Sequence, residues 1–189
     1  MVSQTRIRDG EAGRDTLRSN VELLAAPCIY LIATLLANYT ATWFVPFPVF
    51  GMVAVGTLIF GITFTQRDRV HQQGRRKVYL MIAIAAVMNM VMAWLLGVPG
   101  QIILASFTAI VLAELVDTEI YHRYLARPWI ERVIRSNMIS IPLDSILFNA
   151  IAFAGMFAWP MWVAIVFGEV VVKSFSSLVA GGVQWKNMS

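Results

Sequence analysis

Five ionisable side chains lie inside long apolar stretches, where a charge is most costly. They are Glu114 and Asp117 in ASFTAIVLAELVDTEIYHR, Asp144 in RSNMISIPLDSILFNAIAF, and Glu169 and Lys173 in GEVVVKSFSSL. A charged side chain at the depth of the hydrocarbon is costly unless it faces protein, water or a partner, so each of the five is a candidate functional group.

Several acids beside one lysine suit a small, planar, hydrogen-bonding solute better than a metal ion. Carboxylates accept hydrogen bonds from ring N–H and amino groups, and an ammonium donates to a carbonyl. Ser145 and Asn149 extend the polar neighbourhood of Asp144. Phe107, Phe148 or Phe153 would supply a ring for stacking. The predicted site therefore needs no metal and no cofactor.

The intramembrane acids and Lys173 could instead form ion pairs that stabilise the fold, which is the alternative to substrate binding. Glu169 and Lys173 are spaced i, i+4, the favourable order for an intrahelical ion pair. Asp144 lies at the depth of Lys173, so a contact between the two across neighbouring helices is also expected. Glu114 and Asp117 share a helix face, and a salt bridge to the basic loops is the alternative for both.

Polar residues near the ends of these stretches are predicted to be structural. We expect Glu119 in the headgroup region beside Arg123, and Asn137 as a helix cap at the cytoplasmic side. Pro142 is expected to kink or break its helix two residues before Asp144. The histidines His71 and His122, like the charged residues around them, are predicted to be solvated in loops.

The composition indicates an integral membrane protein. Of 189 residues, 58% are hydrophobic and 14% charged, whereas about a quarter would be charged in a soluble protein. Cys28 is the only cysteine, which excludes an intrachain disulfide and a cysteine-based metal site. No HExxH, GxSxG or phosphate-binding glycine loop occurs, so an enzyme is not expected. The net charge of +4 follows from the loops and does not indicate a nucleic-acid partner.

Six apolar segments predict an all-α membrane protein. They cover about 22–40, 47–65, 78–96, 100–118, 137–158 and 161–180. Fourteen of the fifteen Lys and Arg residues fall on one side of this arrangement, and the other is Lys173. The positive-inside rule then places both termini in the cytoplasm. The predicted organisation is a cytoplasmic extension (1–21), a six-helix transport domain (22–181) and a cytoplasmic tail (182–189).

Three stretches, the ones containing Asp117, Asp144 and Lys173, together resemble the vitamin-uptake-like (VUT) family of queuosine precursor transporters. In that family an alanine-serine-phenylalanine step precedes an aspartate near the helix end, as Ala105, Ser106, Phe107 and Asp117 do here. The next helix has an aspartate, a hydroxyl residue and a phenylalanine. The last helix has an acid four residues before a lysine. Asn38 near the end of the first helix is also typical of the family.

The resemblance implies a bacterial inner-membrane protein that takes up 7-cyano-7-deazaguanine or a related 7-deazapurine. Its architecture would resemble the substrate-binding subunits of energy-coupling-factor transporters. The predicted substrate-binding residues are the following: Asn38, Ser106, Phe107, Glu114, Asp117, Asp144, Ser145, Phe148, Asn149, Glu169 and Lys173. Here the acid that members often carry in a threonine-aspartate step after the second helix is displaced to Asp68.

The predicted mechanism is alternating access, with proton coupling through the intramembrane acids as a hypothesis. A binding subunit that needs a separate ATP-driven module is one alternative, and the small residues Ala33, Ala37 and Ala41 would form its docking stripe. An intramembrane enzyme and a purely structural protein are two others. The expected partners are the small-molecule substrate, membrane lipid and, as an option, further copies of the chain.

Overall fold

Six α-helices and one two-stranded sheet make up the described part of the chain. The computed structural model describes residues 24–47 and 51–188, so the predicted extension 1–21 lies outside the described residues. The helices are α1 (Leu24–Tyr39), α2 (Phe60–Gln72), α3 (Arg75–Leu95), α4 (Gly100–Arg123), α5 (Trp129–Ala152) and α6 (Trp159–Met188). The strands are β1 (Phe44–Phe47) and β2 (Gly51–Ala54).

Three helices among the described residues are long and apolar enough to span a membrane. They are α3, α4 and the part of α6 over Trp159–Ala180, whereas α1 is an apolar helix of shorter length. The first two turns of α5 carry Glu131, Arg132 and Arg135, which leaves a shorter apolar stretch in that helix. The bundle is that of an α-helical membrane protein, and the count of six spans and the side of the termini stay predictions.

The prediction that the apolar segment over 47–65 forms one helix is wrong. β1 pairs antiparallel with β2, with Phe44 opposite Ala54 and Val45 opposite Val53. A short 3₁₀ helix over Val55–Ile59 then leads into α2. Aromatic and β-branched residues favour strands, and Pro46 cannot donate a backbone hydrogen bond within a helix. A hairpin therefore forms between α1 and α2.

The prediction that the basic stretch after residue 65 is a solvated loop is also wrong. α2 continues through Gln72, and the turn into α3 needs only two residues. The second of these, Gly74, has a φ of 123°, a conformation that side-chain-bearing residues rarely adopt. The extra turns of α2 carry Arg67, Asp68 and His71 into the bundle, where all three are buried.

Close helix approaches fix α2 and the 3₁₀ helix against their neighbours. A Cβ placed on Gly61 of α2 would overlap the carbonyl of Ser176 in α6. A Cβ placed on Gly56 of the 3₁₀ helix would overlap the carbonyl of Ala37 in α1. Because there is no hydrophobic driving force between helices in lipid, such small residues are what allow tight packing.

α4 is the central helix of the described bundle, packing most extensively against α5 and also against α3. α6 packs against both α2 and α5. One apolar core joins α1 to α3 around Tyr30 and Ala85, and another joins α4 to α5 around Ala105 and Ala152. This arrangement turns the polar faces of α4, α5 and α6 toward one another.

α5 continues through Pro142, so the predicted break at this position is absent. Asn137 lies within this helix and is not its cap, because α5 already begins at Trp129. Its side-chain amide donates a hydrogen bond to Ser177 Oγ of α6 at 2.6 Å. The polar residues of α5 are therefore all presented from one continuous helix.

Candidate functional site

Lys173 of α6 is the centre of the first polar cluster. Its ammonium donates to Asp144 Oδ2 at 2.7 Å, to Ser145 Oγ at 2.9 Å and to Glu169 Oε2 at 3.3 Å. Asn149 Nδ2 donates to the same Glu169 oxygen at 3.0 Å. We call these five residues the lysine cluster. The predicted contact between Asp144 and Lys173 is confirmed, and the intrahelical pair with Glu169 forms as well.

The lysine cluster leaves acceptors unused. Lys173 has three N–H donors, and all three are engaged. Asp144 Oδ1 and Glu169 Oε1 accept no hydrogen bond from any described residue, and Asn149 Oδ1 is buried without a partner among them. The groups left for a ligand in this cluster are therefore mainly hydrogen-bond acceptors.

A cavity of about 30 Å³ borders this cluster, which we call the first cavity. Its polar lining includes Asp144, Glu169 and Lys173 of the lysine cluster, together with Asn38 and Ser106. The rest of the lining comes from several elements: Ala37, Ala41, Ala54, Gly56, Thr57, Phe60, Ala109, Ile110 and Phe148. The space holds a few water molecules at most, so a larger ligand requires these elements to move apart.

Arg67 of α2 is the centre of a second polar cluster. One terminal nitrogen lies 2.8 Å from Glu114 Oε2, and the other lies 2.6 Å from Asp117 Oδ2 and 3.3 Å from Asp68 Oδ1. Ser140 of α5 donates to the other oxygen of Asp117 at 2.5 Å. We call these five residues the arginine cluster. Arg67 is 1% exposed, although the sequence predicted a solvated loop residue there.

The structure therefore divides the predicted site residues between two clusters. Glu114 and Asp117 pair with Arg67 and do not line the first cavity. Glu114 and Asp117 therefore form the salt bridges that were predicted as the alternative to substrate binding. Their partner is an arginine within α2, whereas an arginine or lysine of a loop was expected. A sequence signal for Arg67 does exist, because it follows Phe60 and Phe64 at i+7 and i+3 on one helix face.

Both cations rest on phenylalanines of α2. Lys173 Nζ lies 4.5 Å from the centroid of the Phe60 ring, and the Arg67 guanidinium lies 5.3 Å from that of Phe64. The two ring centroids are 5.8 Å apart. Cation–π attraction is strongest where water is excluded, as it is here. One face of α2 therefore contacts both clusters.

The phenylalanines predicted for stacking occupy different places. Phe148 lines the first cavity, and Phe153 packs edge-on against it with ring centroids 5.8 Å apart. Phe107 is 37% exposed and does not line the cavity. The structure thus brings Asn38, Ser106 and Phe148 together with the lysine cluster, but it does not bring Phe107 there.

Charged and aromatic residues at the predicted cytoplasmic ends of α2 and α4 form contacts that the sequence did not predict. Glu119 pairs with Arg75 at 2.5 Å and with the Tyr79 hydroxyl, whereas Arg123 was the expected partner. His71 Nε2 lies 3.4 Å from His122 Nδ1. Burial, together with the nearby His122, lowers the pKa of His71 to about 4, so its imidazole is neutral near pH 7. Its prediction as a solvated loop residue is wrong.

A bundle of apolar helices that encloses charged clusters and a small cavity is the arrangement of a multi-pass membrane transporter. Residues 93–183 match a protein family described as "Putative vitamin uptake transporter". The match confirms the family resemblance drawn from the sequence, and it spans the three helices from which that resemblance came. Neither a curated protein nor a solved structure matches the chain.

Among the described residues, no group of three or more His, Cys, Asp or Glu side chains is arranged to hold a metal ion. One carboxylate oxygen of Asp144 and one of Glu169 are engaged with the Lys173 ammonium and the Asn149 amide. The arrangement is suited to binding a hydrogen-bonding organic solute.

Proposed function

We propose that this chain takes up a 7-deazapurine precursor of queuosine, such as 7-cyano-7-deazaguanine, across a bacterial inner membrane. The observation that carries the proposal is the pair of unpaired carboxylate oxygens, Asp144 Oδ1 and Glu169 Oε1, beside the first cavity. A deazaguanine presents ring N–H and amino donors on one edge. Two fixed acceptors at the cavity wall match that edge.

The first cavity supplies further contacts for a planar base in this proposal. Phe148 lies in its wall and offers a ring face for stacking. Ser106 and Asn38 offer a hydroxyl and an amide in the same lining. Lys173 would reach a ligand carbonyl only by giving up one of its three present acceptors. Its main role is then to hold Asp144 and Glu169 in place.

We propose alternating access as the mechanism of uptake. The cavity of about 30 Å³ is too small for a purine, so this conformation is closed and the site must widen before the substrate binds. The 3₁₀ helix and β2 form one wall, and they pack against α6. Movement of this wall relative to α1 or α6 would open the site to one side of the membrane.

Proton coupling is the proposed energy source. The lysine cluster holds two carboxylates for one cation, and the arginine cluster holds three. An unpaired buried carboxylate is costly, so a proton held by one of these acids would relieve the excess negative charge. Uptake into liposomes that does not respond to an imposed pH gradient would reject this coupling.

Uptake by the chain alone is favoured over a binding subunit with a separate ATP-driven module. Ala33 and Ala37 of the predicted docking stripe are buried within the described bundle, and the Ala37 carbonyl meets Gly56. The stripe therefore serves packing inside the chain. Uptake measured in a host that lacks such a module discriminates the two functions.

A binding titration tests the substrate directly. Purified protein in detergent is titrated with 7-cyano-7-deazaguanine, its aminomethyl analogue and guanine, and binding is followed by calorimetry and by the shift in melting temperature. We expect saturable binding of at least one 7-deazapurine and a rise in melting temperature by mass action. No response to any of the three would reject the proposed substrate class.

A further inference from the structure

A second cavity adjoins the first one and shares two of its residues. It encloses about 20 Å³ between α1, α3 and α4. Asn38 and Ser106 line both cavities, so they form the wall between them. Apart from Asn89, the rest of its lining is largely apolar and includes Met92, Ile102 and other side chains of α3 and α4. The second cavity has room for a group of about two heavy atoms.

Asn89 of α3 lines the second cavity and carries an unpaired acceptor. The residue is 2% exposed, and its Oδ1 atom has no hydrogen-bond partner among the described residues. Its Nδ2 atom donates to the Ala85 carbonyl at 2.8 Å, one helical turn back. Flipping the amide would set two oxygens against each other, so this bond fixes which atom is left unpaired.

An unpaired buried amide oxygen is unfavourable unless a ligand or water reaches it. The acceptor needs an N–H or O–H group, and the small volume of the second cavity excludes anything bulky. The second cavity adjoins the first at Asn38 and Ser106. It therefore suits a substituent of a ligand whose main body lies in the first cavity. A short arm that ends in a donor has the required size and chemistry.

We propose that Asn89 forms a second subsite, which takes a short substituent of the transported base that ends in an N–H or O–H donor. This inference rests on the proposed function, because it assumes that the ring of the base lies in the first cavity. It assigns Asn89 the role of a specificity residue. A 7-aminomethyl group fits the subsite, whereas a 7-cyano group has no donor to offer.

The test compares three ligands and two substitutions of Asn89. Wild-type protein, Asn89→Leu and Asn89→Ala are titrated with 7-aminomethyl-, 7-cyano- and unsubstituted 7-deazaguanine. Leucine keeps the branched shape of asparagine and its number of side-chain heavy atoms while removing the acceptor, and alanine removes the acceptor while leaving the space open. We expect both variants to weaken binding of the aminomethyl compound by about tenfold, and that of the other two compounds by much less.

Asn137→Leu is the matched control. Asn137 is also a buried amide with an unpaired oxygen, but it lines neither cavity. An equal loss for all three ligands in the Asn89 variants, or an equal selectivity change in Asn137→Leu, would overturn the subsite while the proposed function stands. If wild-type protein binds none of the three ligands, the proposed function fails and the subsite is rejected with it.

Discussion

The two buried clusters use similar residue types and differ in whether they border a cavity. The lysine cluster borders a cavity and keeps the carboxylate oxygens Asp144 Oδ1 and Glu169 Oε1 available. The arginine cluster directs both terminal nitrogens of Arg67 at carboxylates, and none of its members lines either cavity described above. We propose the first as the ligand site, whereas the contacts of the second join α2, α4 and α5.

This comparison shows that a charge within an apolar helix does not by itself mark a binding site. In the sequence, Glu114 and Asp117 resembled Asp144 and Glu169, because all four are acids within long apolar stretches. Only their partners separate them, since a bidentate cation such as arginine can satisfy several carboxylates at once. We therefore expect substitutions in the arginine cluster to lower stability, and substitutions in the lysine cluster to lower ligand affinity.

The largest effect on stability is expected for Arg67→Met. Removing the cation leaves Asp68, Glu114 and Asp117 buried without compensation, which costs about 3–5 kcal/mol. The measurement is the thermal unfolding midpoint in detergent. As a control, combining this change with Glu114→Gln and Asp117→Asn should recover part of the loss, because fewer unpaired charges remain. An unchanged midpoint together with lost ligand binding would assign the ligand to this cluster instead.

Asp144→Asn should show the opposite pattern. It removes the carboxylate that is proposed to receive the substrate, while Lys173 keeps Glu169 and Ser145 as partners. We expect the dissociation constant to rise by about 10- to 100-fold, the range for hydrogen bonds to charged groups, and the midpoint to fall less than in Arg67→Met. The control is Glu119→Gln at the half-exposed Arg75 pair. Equal affinity in wild type and Asp144→Asn would contradict the assignment of the lysine cluster.

Two glycine substitutions sharpen the comparison through packing. Gly56→Ala and Gly61→Ala each force a Cβ into a neighbouring backbone carbonyl, so each should cost about 1–3 kcal/mol. Gly56 lines the first cavity and Gly61 does not. Ligand affinity should therefore fall in Gly56→Ala only. The control is Gly182→Ala, because a Cβ at this position meets open space. Loss of affinity in both Gly56→Ala and Gly61→Ala would show that packing and binding are not separable here.

A further difference between the clusters is expected in the pH dependence of stability. Burial raises the pKa of Asp68 from 3.8 to about 7, and the neighbouring Arg67 opposes this shift. A carboxyl group that binds its proton more tightly in the folded state favours folding at low pH. That contribution is lost as the pH rises from about 4 through 7.

The melting temperature of the wild type should therefore carry a component that declines between about pH 4 and pH 7. Asp68→Asn cannot titrate, so it should remove this component and flatten the profile. The measurement is a series of thermal melts at constant ionic strength. A profile with the same slope in the wild type and in Asp68→Asn would show that Asp68 does not hold a proton in this range.

The helices other than α2, and the contact between Asp144 and Lys173, were predictable from the sequence. Apolar runs indicate helices in lipid, and residues of equal depth on consecutive helices are natural neighbours. The arginine cluster was not predictable in the same way, because hydropathy ends the second segment near residue 65 while the helix continues to Gln72. A hydropathy sum over one segment cannot detect that a charged side chain is neutralised by residues from other helices.

The hairpin and the division of the acids were missed for related reasons. Residues 44–54 are apolar enough to be taken for part of a span, although Pro46 and the aromatic and β-branched residues around it are compatible with strands. Asn89 was passed over because a single amide in an apolar helix has no periodicity. Asn89 became a candidate binding residue only through the second cavity, which is lined by residues of α1 and α4 as well as α3.

Uptake by the purified chain is the most direct test of the account. Liposomes containing the protein alone, with the interior more alkaline than the exterior, are incubated with a 7-deazapurine, and the accumulated base is quantified. We predict saturable accumulation that depends on the pH gradient and is lost in Asp144→Asn, while folded Glu119→Gln retains it. Accumulation no greater than in protein-free liposomes, with protein shown to be folded, would contradict the proposal that this chain is a transporter for these bases.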